Sequence, residues 1–105
     1  MPLPVERGEV WLADLGMVAK VRPSLSLSVR PGLADRVLYA LVPHTTSLHG
    51  SAYEVSIPTK LFPSGAFNVQ GLVTVARPRL IRRLGLLTPA EVTLIETAVR
   101  VWLGI

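Results

Sequence analysis

Ser24-Leu25-Ser26-Leu27-Ser28-Val29 alternates without a break, a serine against an apolar residue at every step. Successive side chains of a strand point to opposite faces, so Leu25, Leu27 and Val29 share one face and the three serines the other. The pattern predicts a half-buried strand, and it sets the fold class because the flanking sequence repeats it in shorter form. Upstream, Glu9 to Leu15 carries Val10, Trp11, Leu12 and Leu15, a β-rich apolar run that starts a sheet. Gly16 to Val21 reads as the loop between these two strands. Downstream, Pro31-Gly32 turns the chain, and Val37 to His44 predicts a third strand. The loop Leu48-His49-Gly50-Ser51 leads into Tyr53 to Ile57, again alternating, which Pro58 stops. After the turn Pro63-Ser64-Gly65, Asn68 to Val75 predicts a fifth strand that Pro78 blocks. Arg79 to Leu84 reads as a short helical turn ended by Gly85.

The C-terminal element follows a different period. Thr88-Pro89-Ala90-Glu91 is a capping box with proline at the first helical position. Thr88 accepts from the Glu91 backbone, and the Glu91 carboxylate suits the positive helix end. Val92, Ile95, Val99, Trp102 and Leu103 then recur at helical spacing, and Gly104 ends the helix. Short strands followed by one packed helix predict a mainly β chain with a C-terminal helix (α+β), folded as a small, strongly curved β-barrel with helical additions. Residues 1–105 read as a single domain, with no repeat, linker or low-complexity tract.

Composition narrows the function classes. The chain has 105 residues, 50% of them hydrophobic. That is rich for a small monomer and predicts apolar surface covered by another chain. With no cysteine, disulfides and thiolate zinc sites are excluded. Met1-Pro2-Leu3-Pro4 lacks the charged start and apolar core of a signal peptide, and no apolar run approaches a bilayer span. A cytoplasmic protein without membrane contact is expected. The net charge of +4 comes mostly from arginine, nine against two lysines. Arginine favours forked recognition of phosphate, which makes a polyanionic partner the natural expectation. Arg77, Arg79, Arg82 and Arg83 form one cluster in sequence that could track a nucleic-acid backbone, though such a run is more often a solvated face or a docking surface for an acidic peptide.

Two segments carry candidate chemistry. Lys20-Val21-Arg22-Pro23 opens the alternating strand, and Val42-Pro43-His44-Thr45-Thr46-Ser47 closes the next one. Each puts a polar group at a strand end, where a rigid scaffold holds it. A guanidinium and a hydroxyl brought together make an anion or phosphodiester site. Pro23 biases Arg22 toward extended geometry. Thr45, Thr46 and Ser47 also suit ordinary turn chemistry. Alternation puts His44 on the face opposite Thr45, a core histidine rather than a base. His49 lies in a loop and is better placed to reach a substrate. Glu54 is expected to be exposed or paired with an arginine. No nucleotide-binding loop, metal spacing or catalytic triad pattern is present, so neither cofactor nor metal is expected.

Taken in order, these residues resemble the MazF/PemK family of toxin–antitoxin toxins over nearly the whole chain. Arg7 to Leu15 resembles the family's opening strand, Lys20-Val21-Arg22-Pro23 its K-x-R-P segment, and Val42 to Ser47 its V-P-x-T-T/S segment. Tyr53-Glu54-Val55 is similar to the [FY]-E-V strand, and Val73-Thr74-Val75 with Arg79 to Thr88 to the C-terminal half. The resemblance implies an SH3-like, CcdB-like barrel that dimerises. It also implies a metal- and ribosome-independent endoribonuclease that cuts single-stranded RNA and is held inactive by an acidic antitoxin. In the family the K-x-R-P arginine and the first threonine carry catalysis, which here are Arg22 and Thr45. Lys20, Thr46, Ser47 and His49 would contact substrate. The chain departs from the family in its short first loop, Gly16-Met17-Val18-Ala19, which offers no glutamate as base. Gln70-Gly71-Leu72-Val73 likewise replaces an acidic–arginine pairing.

A different class stays open on sequence. Trp102-Leu103-Gly104-Ile105 resembles the ending of CcdB-type toxins, which bind DNA gyrase without cutting nucleic acid. A degenerate member that only binds RNA or antitoxin is a third reading.

Overall fold

A computed structural model describes residues 4–16 and 20–105. Among these residues the chain forms seven strands and one α-helix in a curved, barrel-like antiparallel sheet that does not close. The strands are β1 (Glu9–Asp14), β2 (Val21–Ser26), β3 (Leu38–Thr45), β4 (Glu54–Val55), β5 (Ala66–Asn68), β6 (Val73–Ala76) and β7 (Leu80–Leu86), followed by α1 (Pro89–Leu103). Their order across the sheet is β4-β5-β3-β2-β1-β7, with β6 also paired to β3. The mainly β architecture with a C-terminal helix is thus the one the patterning predicts. Expectations that fall on Met1-Pro2-Leu3 and Met17-Val18-Ala19 lie outside the described residues.

The sheet buries both faces, which corrects the half-buried reading of the serine strand. One core holds Val10, Leu25, Val42, Phe67 and the helix residues Val92, Ile95 and Val99. The other, on the opposite face, holds Trp11, Ala13, Tyr39, Leu41, Val75 and Leu80. Leu25 enters the first core, while Ser24 and Ser26 alternate to the opposite side and are as buried as Leu25. Serine is small enough to let the curved sheet fold over that face, and Ser26 Oγ is buried there without a partner. The strand itself runs over Val21–Ser26 rather than Ser24 to Val29, so Arg22 and Pro23 lie inside it.

Three further expectations are revised. The predicted strand from Asn68 to Val75 is two strands, β5 and β6, split by a 3₁₀ turn over Val69–Gly71. Asn68 caps that turn by accepting from Gln70 N, the local bonding that makes asparagine a poor strand residue. Tyr53 to Ile57 contracts to Glu54–Val55. The predicted helical turn at Arg79 to Leu84 is instead β7, which pairs along β1 with two register shifts. Leu80, Ile81 and Leu84 suit a helical turn by spacing alone, but β1 has an unpaired edge there, and ladder hydrogen bonds decide the conformation.

The helix matches its sequence signals. Both arms of the Thr88–Glu91 capping box form, and Gly104 takes a left-handed conformation (φ 73°) that ends it. Val92, Ile95 and Val99 are buried as expected. Trp102 is 42% exposed, with its ring edge-on to Tyr53 at 5.2 Å, and Leu103 is 51% exposed and does not reach the core. No helix among the described residues is long and apolar enough to cross a membrane.

Candidate active site

β2 and β3 pair with Ser24 opposite Pro43, Leu25 opposite Val42 and Ser26 opposite Leu41. Extending that antiparallel register by two residues sets Arg22 against Thr45, and the period of two keeps both on the face of Ser24 and Pro43. The structure agrees: Arg22 and Thr45 line one cavity of about 320 Å³.

Pro43 explains why a cavity opens at this point. Along its other edge β3 pairs with β6 through Leu38 to Leu41, and with β5 through His44 and Thr45. Pro43 lies where the partner changes. A proline has no N–H to offer a ladder, so the break in pairing falls where β3 has no donor to lose. The 3₁₀ turn over Val69–Gly71 fills part of the gap. A Cβ on Gly71 would approach Pro43 Cγ to 2.8 Å, so the absence of a side chain there permits the close approach. Leu15 and Val73 complete an apolar wall, and Asn68 adds one amide.

The polar groups differ in how they are held. Thr45 Oγ1 accepts the backbone N–H of Ser47 at 3.0 Å. Its hydroxyl is thereby oriented by the turn that follows β3, with the O–H left to donate elsewhere. The expected turn chemistry and the expected site role therefore coexist. His44 also borders the cavity but is 3% exposed, its ring packed against Phe62 (4.3 Å) and Phe67 (5.3 Å). Burial, and then the nearby Arg22 guanidinium, hold its imidazole below the usual histidine range. It is the core histidine that alternation predicts, neutral at physiological pH.

The remaining sequence candidates do not line the cavity. Lys20 is exposed just before β2, in a left-handed conformation (φ 58°) that lysine rarely adopts. It closes the β1–β2 connection by donating its N–H to Gly16 O and accepting from Leu15 N. Thr46, Ser47 and His49 are exposed. The His49 loop is gathered by Glu54, whose carboxylate accepts from the backbone N–H groups of His49 (2.9 Å) and Ser51 (2.9 Å). Those bonds, the one from His49 foremost, draw the Glu54 carboxyl below its ordinary range. Glu54, expected to be exposed or paired with an arginine, is thus a loop anchor that bonds backbone N–H groups. Asn68 was not among the residues singled out from sequence. The Asn-x-Gln spacing that makes an Asx turn was the available signal.

The arginine cluster disperses. Arg77 lies over the Trp11 ring at 4.8 Å, Arg79 faces Asp14 at 3.6 Å, and Arg83 bonds Glu9 at 2.7 Å. In β7 alternation turns Arg82 away from Arg83. Glu9 is 9% exposed and also accepts from Trp11 Nε1 and Glu6 N. Arg77 and Arg83 thus gather about the Glu9–Trp11 pair on one face of β1, while Arg79 pairs with Asp14 at the strand's end.

Known proteins share this architecture. An endoribonuclease in complex with its cognate antitoxin, from a mycobacterial species, superposes with a TM-score of 0.81 at 27% identity, covering 96% of each chain. A second mycobacterial endoribonuclease gives 0.78 at 26% identity over 96% of this chain and 92% of that one. MazF from Deinococcus radiodurans gives 0.79 at 23% identity over 99% of this chain and 100% of that one, a likeness of fold. The family model of PemK-like, MazF-like toxins matches residues 6–103 and so includes every residue of the cavity. It gives no support to the gyrase-directed reading, and the contact with Tyr53 accounts for Trp102 as packing. The chain belongs to the PemK-like, MazF-like toxins of type II toxin–antitoxin systems.

Proposed function

We propose that the protein is the endoribonuclease toxin of such a pair, cutting single-stranded RNA in the cytoplasm without a metal or the ribosome. The observation that carries the reading is one cavity lined by a guanidinium from β2 and an oriented hydroxyl from β3. In this reading the scissile phosphate sits between Arg22 and Thr45. The ribose 2′-OH gives its proton to solvent as its oxygen attacks phosphorus, and the bond to the 5′-oxygen breaks as that oxygen takes a proton from Arg22, which solvent returns, leaving a 2′,3′-cyclic phosphate and a 5′-hydroxyl. Negative charge builds on the non-bridging oxygens, where the fork of Arg22 and the O–H of Thr45 stabilise it. The guanidinium of Arg22 offers only N–H donors and no acceptor, so it acts on the transition state and on the departing oxygen rather than as base. Lys20, Thr46, Ser47 and His49 bind flanking nucleotides.

An acidic antitoxin segment would compete for the same cationic groove. A second copy of the chain is the natural cover for exposed apolar residues such as Leu94, Val101, Leu103 and Ile105 on the helix and its end. Light scattering on the purified protein tests that assembly.

The activity test is incubation of the protein with a long single-stranded RNA in excess EDTA, beside Arg22→Ala and Thr45→Ala. Cleavage at discrete sites that both variants lose is expected. Intact RNA at high protein concentration would overturn the reading.

A further inference from the structure

Asn68 lines the same cavity as Arg22 and Thr45, beside Gly71 and Pro43. Its Oδ1 accepts the Gln70 N–H at 3.2 Å, which fixes the amide orientation because a backbone donor requires the oxygen. Nδ2 is then on the Gly71 side, 3.4 Å from where a Cβ of residue 71 would stand. With glycine at that position the approach to Nδ2 stays open. The surrounding wall is Leu15, Pro43 and Val73, flat apolar surface that suits the faces of a nucleobase and offers nothing to a phosphate. The volume, about 320 Å³, is at the lower end of the roughly 300–1,000 Å³ typical of small-ligand pockets.

We infer that Asn68 is a specificity-determining residue: its amide, tied at Oδ1, presents only N–H donors to a nucleobase seated between Leu15, Pro43 and Val73, and so selects a carbonyl-bearing base over an amino-bearing one. Resting on the ribonuclease reading, this names the base chemistry that the same site prefers. An untethered asparagine can rotate and serve either kind of base. Here rotation would give up the cap that Oδ1 places on the 3₁₀ turn, so the local backbone favours one amide orientation. Uracil and cytosine differ at this edge as O4 acceptor and N4 donor, and guanine and adenine as O6 acceptor and N6 donor. Single-stranded RNA, whose bases can be splayed out, allows that edge to be read.

The test uses binding, so that it stands apart from cleavage. Fluorescence anisotropy of labelled 2′-O-methyl heptamers of uridine and of cytidine, which cannot be cut, is measured for the full chain. The wild type is expected to prefer the uridine heptamer about tenfold, the range of one discriminating base contact. Asn68→Ser keeps an oxygen acceptor for the turn but lacks the donors, and should bring the ratio to about one. Asn68→Asp, an acceptor on both atoms, should favour cytidine. Arg22→Ala should weaken both oligomers alike and keep the ratio. A wild type that binds the two equally would overturn the inference, as would an Asn68→Ser variant that keeps the preference. If Asn68→Ser fails to fold, the wild-type ratio for inosine over adenosine heptamers decides by the same O6-against-N6 logic. Intact RNA in the EDTA assay with the uridine preference present would instead discard the nuclease and keep the base reader.

Discussion

Arg22 and Thr45 belong to neighbouring antiparallel strands, opposite one another by register, and meet in one cavity although 23 positions separate them in sequence. The two strands bury their central residues on both faces, so the relative position of these side chains is set by a rigid ladder. Replacing Arg22 with alanine is expected to lower the cleavage rate by about 10²–10³, the usual loss for one preorganised donor to a developing oxyanion. Arg22→Lys retains charge without the planar fork and should recover only part of the rate. Thr45→Ser keeps the hydroxyl and its bond to Ser47 N, and should stay within about tenfold of wild type. Initial rates on a defined oligonucleotide, with circular dichroism to establish folding, check the series.

His44 ties the site to pH through stability. Its folded-state imidazole titrates below the unfolded value of about 6.5, so the unfolded chain binds the extra proton first. Stability should be constant above that value and fall as pH drops from there toward the folded pKa. Glu9 and Glu54, both drawn below 4.5, lose their contribution only at more acidic pH. Urea melts at pH 7.5, 6.5 and 5.5 should therefore show a decline that His44→Gln flattens.

Gly65 stands against the end of β3. A Cβ there would lie 2.2 Å from Thr45 O and 2.7 Å from the His44 ring, backbone and core atoms that cannot swing aside. Gly65→Ala should cost about 1–3 kcal/mol by overpacking and also displace Thr45. Loss of both stability and activity is expected, whereas Gly104→Ala at the helix end should leave cleavage intact. Thermal melts and the cleavage assay separate the two.

Glu9 ties β1 to β7 by accepting from Arg83 Nε (2.7 Å), and within β1 it accepts from Trp11 Nε1 (3.1 Å). Glu9→Ala strands the buried indole N–H and should destabilise the fold by about 2 kcal/mol. Arg83→Ala, at a half-exposed position, should cost less. Chemical denaturation of both variants measures the difference.

Sequence alone determined the features whose causes are local. The capping box and terminal glycine delimit α1 within its own turns. The β-rich apolar runs at Glu9 to Leu15 and at Val37 to His44 mark strands to within one or two residues, because such side chains suit a pleated, packed surface whatever the partner. The K-x-R-P and P-x-T-T segments singled out Arg22 and Thr45. What only the tertiary structure decided depends on partners far along the chain. Leu80 to Leu86 became a strand because β1 had an edge to fill, and the arginines beside it dispersed onto Trp11, Asp14 and Glu9. Ser24 and Ser26 were buried because the sheet curls over them, which no alternation of serine with leucine discloses. Asn68 reached the cavity through a turn that fits against Pro43 where β3 changes partners, a meeting of residues that are neither neighbours nor periodic. Local hydrogen bonds and side-chain period can be read along a chain; pairing between distant strands is settled only when their edges compete for one another.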